Sequence, residues 1–515
     1  MQGARAHIVT ACATAAAYGL AFCCAGCEAK SAASAAANAD RAAGEVAAPA
    51  GPPRDVNVVM FLIDTLRADR VGAYGYEKPT TPNIDALAEE CVTFEQAYAA
   101  ASWTLPSVPS IFTSTFPCEH GLVVDRTQLN EAFETLAQRF KRAGYHTTSF
   151  YANPYLGEKT GLSRGFDLAR QNGPRRDWHT DGSHVETWLD EKPPGPYFLY
   201  IHNIEPHDPW KMSAQEAAPF GKVAPAAIQR IRDLTFRYKP LLRADWKEQR
   251  ERGGTDNTAL QDRYLNQLHE LLPEHNALYD AAVRRADQRV GSVVETLKRR
   301  GEWEQTLFVL LSDHGEEMAE HGAYIHGQSL YEELTRVPLL IHFPGAEFAR
   351  RRVTAVVSLV DILPTIFDYV NRPQLSAGAR GVSLMPLARG ERPHGAGPRV
   401  VAVRINEKKY YKPWAETRGD INVALRLESL KAVWNHDFDR LELYDLARDP
   451  HEARDLSAER APLAAELGQA ARAWYEGCGA QRRDALPVEL SAEDLRNIGA
   501  LGYVDVPDAD DEQKP

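Results

Sequence analysis

The chain lacks a long basic run, an internal repeat, and any cysteine spacing of the metal-ligand kind. At a net charge of −12 over 515 residues, the first absence removes nucleic acid from the expected partners. Cysteine is scarce beyond the start of the chain. Four of the seven (Cys12, Cys23, Cys24 and Cys27) lie in the first 27 residues. The remaining Cys91, Cys118 and Cys478 are an odd, widely spaced set. Cys91 and Cys118 can pair in an oxidising compartment, or serve as small buried hydrophobes; spacing does not choose between these.

A strongly apolar span is also missing. The uncharged run from Ile8 to Cys27, after Arg5, is rich in Ala, Cys and Thr. It is too weakly apolar to read as a membrane span and reads as a signal peptide. Its end, Ala25-Gly26-Cys27, resembles the site where bacterial lipoproteins are cleaved and acylated, although Cys24 stands where Leu is usual. The expectation is export, as a periplasmic or cell-surface lipoprotein touching membrane only through its lipid anchor, or otherwise as a secreted protein.

What is present suits one large α/β domain and a smaller one: 44% of residues are hydrophobic and 25% charged. Residues 28–55 are rich in Ala, Gly and Pro and read as a linker. From residue 56, apolar runs ending in polar groups alternate with helical patterns: VNVVMFLID (56–64), HTTSFYA (146–152), PYFLYIHN (196–203), TLFVLLSD (306–313) and VPLLIHF (337–343). Such runs predict a mostly parallel sheet with helices on both faces. Leu278, Ala282, Ala286, Val290, Val293 and Leu297 form one helical stripe. Residues 211–275 are polar and helix-leaning, a helical insertion in a catalytic domain of 56–397. Short, closely spaced strands from 398 predict an α+β subdomain to about 505, followed by a tail (506–515).

In open α/β sheets, ligands gather at the C-terminal ends of the parallel strands. Asp64, Asp313 and His314 fall there and form a candidate oxygen/nitrogen site for one divalent cation. Each has a plainer reading as a turn or cap residue. In ASWTLPSVPSIFTS (101–114), Thr104 precedes Pro106 and an apolar helical stretch. That places Thr104 at or just before a helix N-terminus, where anions are favoured. It is then a nucleophile beside a metal or an ordinary N-cap.

IDTLRADRVGAYGY, TLPSVPSIFTS, SDHGEEMAEHG, HGQSLYEELTRVPLLI, SLVDILPTIFDYV and ELYDLARDPHEARDL occur in that order. Together they resemble the sulfatase-like branch of the alkaline phosphatase superfamily over about residues 55–505. The resemblance implies an alkaline-phosphatase-like α/β fold with a C-terminal subdomain. It also implies a metal (Ca, Mg, Mn or Zn) held by Asp64, Asp313 and His314, with residue 104 as nucleophile and fourth ligand. The departures are specific. Thr104 stands where sulfatases carry the Cys or Ser converted to formylglycine, and Val108 where they carry Arg. Asn153 and Tyr155 stand in place of Lys-x-His. A shifted register, Ser107-Val108-Pro109-Ser110, has the x-Pro-Ser form but still lacks Arg. This pattern is similar to Thr-nucleophile relatives that act on phosphoesters. Carried over, it implies His207 or His326 near the substrate and Asn153 as a hydrogen-bond donor to a substrate oxygen. Glu205 is a supporting acid or a surface one. The expected activity is hydrolysis or transfer at a phosphate or sulfate ester of a small molecule, lipid or glycan, with phosphate favoured. The alternatives are a sulfatase without formylglycine and a degenerate glycan binder.

Overall fold

The computed structural model describes residues 51–171, 182–208, 210–234, 266–391, 397–406 and 420–499. The proposed signal segment, most of the linker, Arg175–Trp178, the middle of the 211–275 insertion and the tail lie outside the described residues.

Strands β1 (Asn57–Ile63), β2 (Val92–Tyr98), β3 (His146–Tyr151), β4 (Leu168–Gln171), β5 (Tyr197–Asn203), β6 (Thr306–Leu311), β7 (Arg336–Val337), β8 (Leu339–His342) and β9 (Arg351–Ser358) form one nine-stranded sheet. Its order is β7-β2-β8-β6-β1-β5-β3-β4, with β9 beside β2. The β6-β1-β5-β3-β4 block is parallel. The run at 337–343, grouped by its pattern with the parallel strands, instead pairs antiparallel to β2 and β6. A short buried strand reads the same in either direction, because burial on both faces erases the alternation that would mark it. Strands β2, β4 and β9 also escape the sequence reading; β4 is short and mostly exposed, and β9 only partly buried.

The side chains of β1 divide between two cores. Val58, Met60 and Leu62 enter one, and Val59, Phe61 and Ile63 the other, as the two-residue repeat of a strand dictates. Helices α1 (Pro82–Ala88) and α4 (Leu272–Arg299) cover the second core. Helices α2 (Thr104–Thr113), α3 (Leu136–Arg142) and α5 (Ile362–Tyr369) cover the first. The α4 stripe Leu278, Ala282, Ala286, Val290, Val293 and Leu297 is buried; the larger members contribute ~1.5–3 kcal/mol each when fully removed from water. Within the insertion, Ala214–Ala217 and Pro225–Asp233 are helical.

The C-terminal part is a four-stranded antiparallel sheet, β10 (Arg399–Ile405), β11 (Ile421–Leu427), β12 (Leu430–Asn435) and β13 (Arg440–Asp445), packed against α6 (Ala461–Gly479). Residues 424–435 (ALRLESLKAVWN) run through β11, a tight turn and β12. The disulfide is Cys118–Cys478, spanning 360 residues, while Cys91 is buried and free. The Cys91–Cys118 pairing is therefore corrected. The helix Pro117–His120 packs against α6, with Phe116 edge-on to Trp474 at 5.0 Å, a long-range contact that spacing does not reveal.

Candidate active site

Four adjacent parallel strands deliver the polar groups. β1 leads into Asp64, whose N–H extends the ladder to the Asn203 carbonyl at 2.8 Å. β5 carries His202, in register with Leu62 of β1. β6 leads into Asp313 and His314, and β3 into Asn153. The turn after β1 holds Thr65 at φ +60°, a conformation costly for a β-branched residue. It is fixed by two hydrogen bonds from side chains far away in sequence. Tyr279 Oη donates to the Thr65 carbonyl at 2.6 Å, and the Leu66 N–H donates to Ser312 Oγ at 2.9 Å. Gly315 is demanded by close approach: a Cβ there would meet the Glu333 carbonyl oxygen at 1.9 Å.

Thr104 is the first residue of α2, and Trp103 occupies the cap position without a side-chain capping bond. The Thr104 hydroxyl lies within the cluster of polar strand ends. It faces His314 Nε2 at 3.2 Å and Asp64 Oδ2 at 3.5 Å, and Asn153 Nδ2 donates to it at 3.3 Å. The same Asn153 nitrogen donates to Asp64 Oδ2 at 3.0 Å, while its Oδ1 accepts from the Tyr155 N–H. Asn153 is thus both a turn cap and a site donor. Ser107, the candidate of the shifted register, donates to the Asp313 carbonyl at 2.6 Å and ties α2 to the end of β6. Val108 lies wholly in the apolar core.

The centre is buried and rich in carboxylate. Asp64, Thr104, Asn153, His202, Asp313 and His314 are all fully inaccessible. His314 Nε2 lies 3.4 Å from Asp64 Oδ1 and 3.6 Å from Asp313 Oδ2, and His202 Nε2 lies 3.4 Å from Asp64 Oδ2. Asp64 Oδ1, both Asp313 carboxylate oxygens and both His202 ring nitrogens have no hydrogen-bond partner. Ligand atoms of Asp64, His202 and Asp313 lie within 4.8 Å of one another. Desolvation, with Asp313 close by, pushes Asp64 up to about 8, and desolvation pushes Asp313 up to about 7. Desolvation also lowers His202 to about 3 and lowers His314. Buried carboxylate and imidazole atoms without hydrogen-bond partners, converging on one point, fit a hard or borderline divalent cation. His202 joins this candidate cluster although the sequence reading does not single it out, because it sits inside an apolar strand rather than beyond its end. Its pairing opposite the last turns of β1 is the feature that exposes it.

The two other histidines line up beside this centre. The His326 ring stands 4.6 Å from that of His314 and 4.9 Å from that of His207. His326 Nδ1 is 3.1 Å from Glu316 Oε1, and His207 Nδ1 contacts the Asp208 carbonyl at 2.5 Å. Glu205 is buried and pairs with Arg285 and Arg289 at 3.5 and 3.8 Å; it is no surface acid.

A sulfatase family model matches residues 56–371, and a model for the C-terminal part of N-sulphoglucosamine sulphohydrolase matches residues 319–470. The chain belongs to the sulfatase family. It is a hydrolase of that family with the α/β fold and C-terminal subdomain the resemblance implies. An N-acetylglucosamine-6-O-sulfatase of Bacteroides thetaiotaomicron is 24% identical over 83% of this chain and 88% of its own. An arylsulfatase of Clostridium perfringens is 24% identical over 78% of this chain and 90% of its own. The fold also matches the solved phosphonate monoester hydrolase of Agrobacterium radiobacter (TM-score 0.62, 22% identity, 83% of this chain and 96% of that one).

Proposed function

We propose that this sulfatase-family hydrolase cleaves a phosphate ester, or transfers its phosphoryl group, with Thr104 as nucleophile. The observation that carries the reading is the Thr104 hydroxyl. It lies in a fully buried site against His314, Asn153 and Asp64. Asp64, Asp313 and His314, joined by His202 and the Thr104 hydroxyl, would hold one divalent cation. When bound there, a cation lowers the pKa of a neighbouring hydroxyl and polarises a non-bridging ester oxygen.

Thr104, its proton passed to solvent, attacks phosphorus through Oγ as the bond to the leaving oxygen breaks. Asn153 Nδ2 keeps the attacking oxygen oriented. His326, or His207 beside it, gives a proton to the departing alkoxide, and Glu316 orients the His326 ring. Water or an acceptor alcohol then attacks the Thr104 ester and frees the hydroxyl. Phosphorus is favoured over sulfur because Thr104 cannot supply a formylglycine hydrate. In addition, buried Val108 and the neutral Asn153–Tyr155 pair replace cationic groups used on sulfate. The Cys118–Cys478 disulfide supports export, whether lipid-anchored at Cys27 or free.

The test is turnover of aryl phosphate, phosphodiester and sulfate esters with Mg, Ca, Mn and Zn. Phosphoester turnover that is lost in Thr104→Ala is expected. Sulfate turned over faster than phosphate would overturn the preference, and unchanged turnover in Thr104→Ala would remove the nucleophile.

A further inference from the structure

Two neighbouring turns carry ligands of the candidate cation site. Strands β1 and β6 pair in parallel as far as Leu62 opposite Leu311. Beyond that pair β1 runs into the Asp64–Arg67 turn, and β6 into Ser312, Asp313 and His314. The Asp64 N–H bonds to the Asn203 carbonyl of β5, not to β6. Ser312 stands where the paired strands give way to the two turns. Its side chain, like Leu66 and His314, is inaccessible.

The Ser312 hydroxyl serves both turns. Oγ accepts from the Leu66 N–H at 2.9 Å and donates to the His314 carbonyl at 2.7 Å. One oxygen atom thus turns a lone pair to the Asp64 turn and its proton to the His314 turn. Each turn is also held from its other side. Tyr279 Oη of α4 donates to the Thr65 carbonyl at 2.6 Å and accepts from the Arg67 N–H at 3.1 Å. The Gly315 N–H donates to the Leu334 carbonyl at 2.9 Å. His314 Nδ1 lies 2.9 Å from the Gly315 carbonyl and donates to it. That leaves Nε2 as the ring atom facing Asp64 Oδ1 at 3.4 Å.

The bridge matters because the Asp64 turn is strained. Thr65 sits at φ +60°, which a β-branched residue adopts only where its surroundings impose it. Without the Ser312 hydroxyl, the Leu66 N–H and the His314 carbonyl would both lose a buried partner. The strained turn would then relax, and the Asp64 carboxylate would shift against Asp313 and His314. A site of this kind tolerates displacements of only about 0.5 Å. We propose that Ser312 is a positioning residue whose hydroxyl locks the Asp64 turn to the Asp313–His314 turn and so sets the spacing of the cation ligands. This rests on the cation-site reading above and is independent of which ester is cleaved. Thr365 of α5 provides a control. Its buried hydroxyl makes the same kind of bridge, accepting from the Leu384 N–H at 2.8 Å and donating to the Asp361 carbonyl at 2.6 Å. It belongs to neither ligand turn.

The full chain, stripped of metal by a chelator, is titrated with Co(II), whose visible bands report both occupancy and ligand geometry. The parent, Ser312→Ala and Thr365→Ala are compared, and the Tm of each is measured. Ser312→Ala is expected to bind Co(II) about tenfold or more weakly, the scale of losing a partner behind the ligands, with altered visible bands. Thr365→Ala is expected to lower Tm while binding Co(II) with the affinity and spectrum of the parent. Parent-like affinity and bands in Ser312→Ala would overturn the coupling and leave the cation site standing. Equal weakening in Thr365→Ala would make the effect one of general stability and overturn it as well. If Ser312→Ala does not fold, Tyr279→Phe decides, since it frees the same turn from the α4 side. Weakened Co(II) binding there supports the coupling, and parent-like binding overturns it. A parent that binds no Co(II) would instead sink the cation reading on which the inference rests.

Discussion

Asn153 makes three hydrogen bonds from one side chain: to the Thr104 oxygen, to Asp64, and from the Tyr155 N–H. It is not among the candidate cation ligands, which makes it informative. Asn153→Ala is expected to lower kcat by about 10²-fold, the scale of losing one preorganised donor, with KM little altered. Asn153→Asp would set a second carboxylate against Asp64 and cost more. Steady-state kinetics on an aryl phosphate separates these outcomes. At this scale the sequence was informative wherever a polar residue ends an apolar run. Asp64, Asp313 and His314 meet at the strand ends, and Asn153, placed there only by the family resemblance, joins them. His202 was hidden because a histidine within a buried strand is by itself an ordinary core residue, and only strand pairing brings it to Asp64. The meeting of His207 and His326 likewise depends on loops whose path no local pattern encodes.

At the scale of elements, α2 carries Thr104 and is held at both ends. Ser107 bonds to the Asp313 carbonyl near its start, and Ser110 meets His120 Nε2 at 3.0 Å near its end. Ser107→Ala is expected to cost about 1 kcal/mol of stability and to lower kcat by loosening Thr104 against Asp313. Thermal melts and kinetics read the two effects separately. Val108→Arg restores the residue sulfatases carry, but it places a guanidinium in a core position with no exposure. The expected result is destabilisation by more than about 2 kcal/mol and no gain of sulfatase activity; a stable variant with new sulfatase turnover would contradict it. The β1, β3, β5 and β6 strands were legible as short unbroken runs between helical patterns, and α4 by its helical stripe. The antiparallel insertion of β8 was not, since strand direction is set by what a strand pairs with.

Over the whole molecule, the Cys118–Cys478 bond ties the segment after the nucleophile helix to α6. Replacing both with Ser is expected to lower stability by about 2–4 kcal/mol, measured by denaturant unfolding, and to loosen the packing of α6 against the Pro117–His120 helix. Acid should act globally as well. Burial lowers His120 and His275 to about 3, so the folded chain keeps both neutral while the unfolded chain protonates them near pH 6.5. Between those values these two histidines bind more protons unfolded than folded, so their contribution lowers stability as pH drops from about 6.5 toward 3. In melting curves across that range, His120→Asn should show a shallower fall than the parent; an identical slope would remove His120 from the effect.

Everything at these scales converges on one oxygen atom. Acid-quenched turnover of a phosphoester, followed by high-resolution mass spectrometry of the peptide spanning residues 101–114, tests it most directly. A phosphoryl group on Thr104, present during turnover and absent without substrate, is the result expected. Turnover with Thr104 unmodified and the label on Ser107 or Ser110, or with no label on this peptide, would contradict the account.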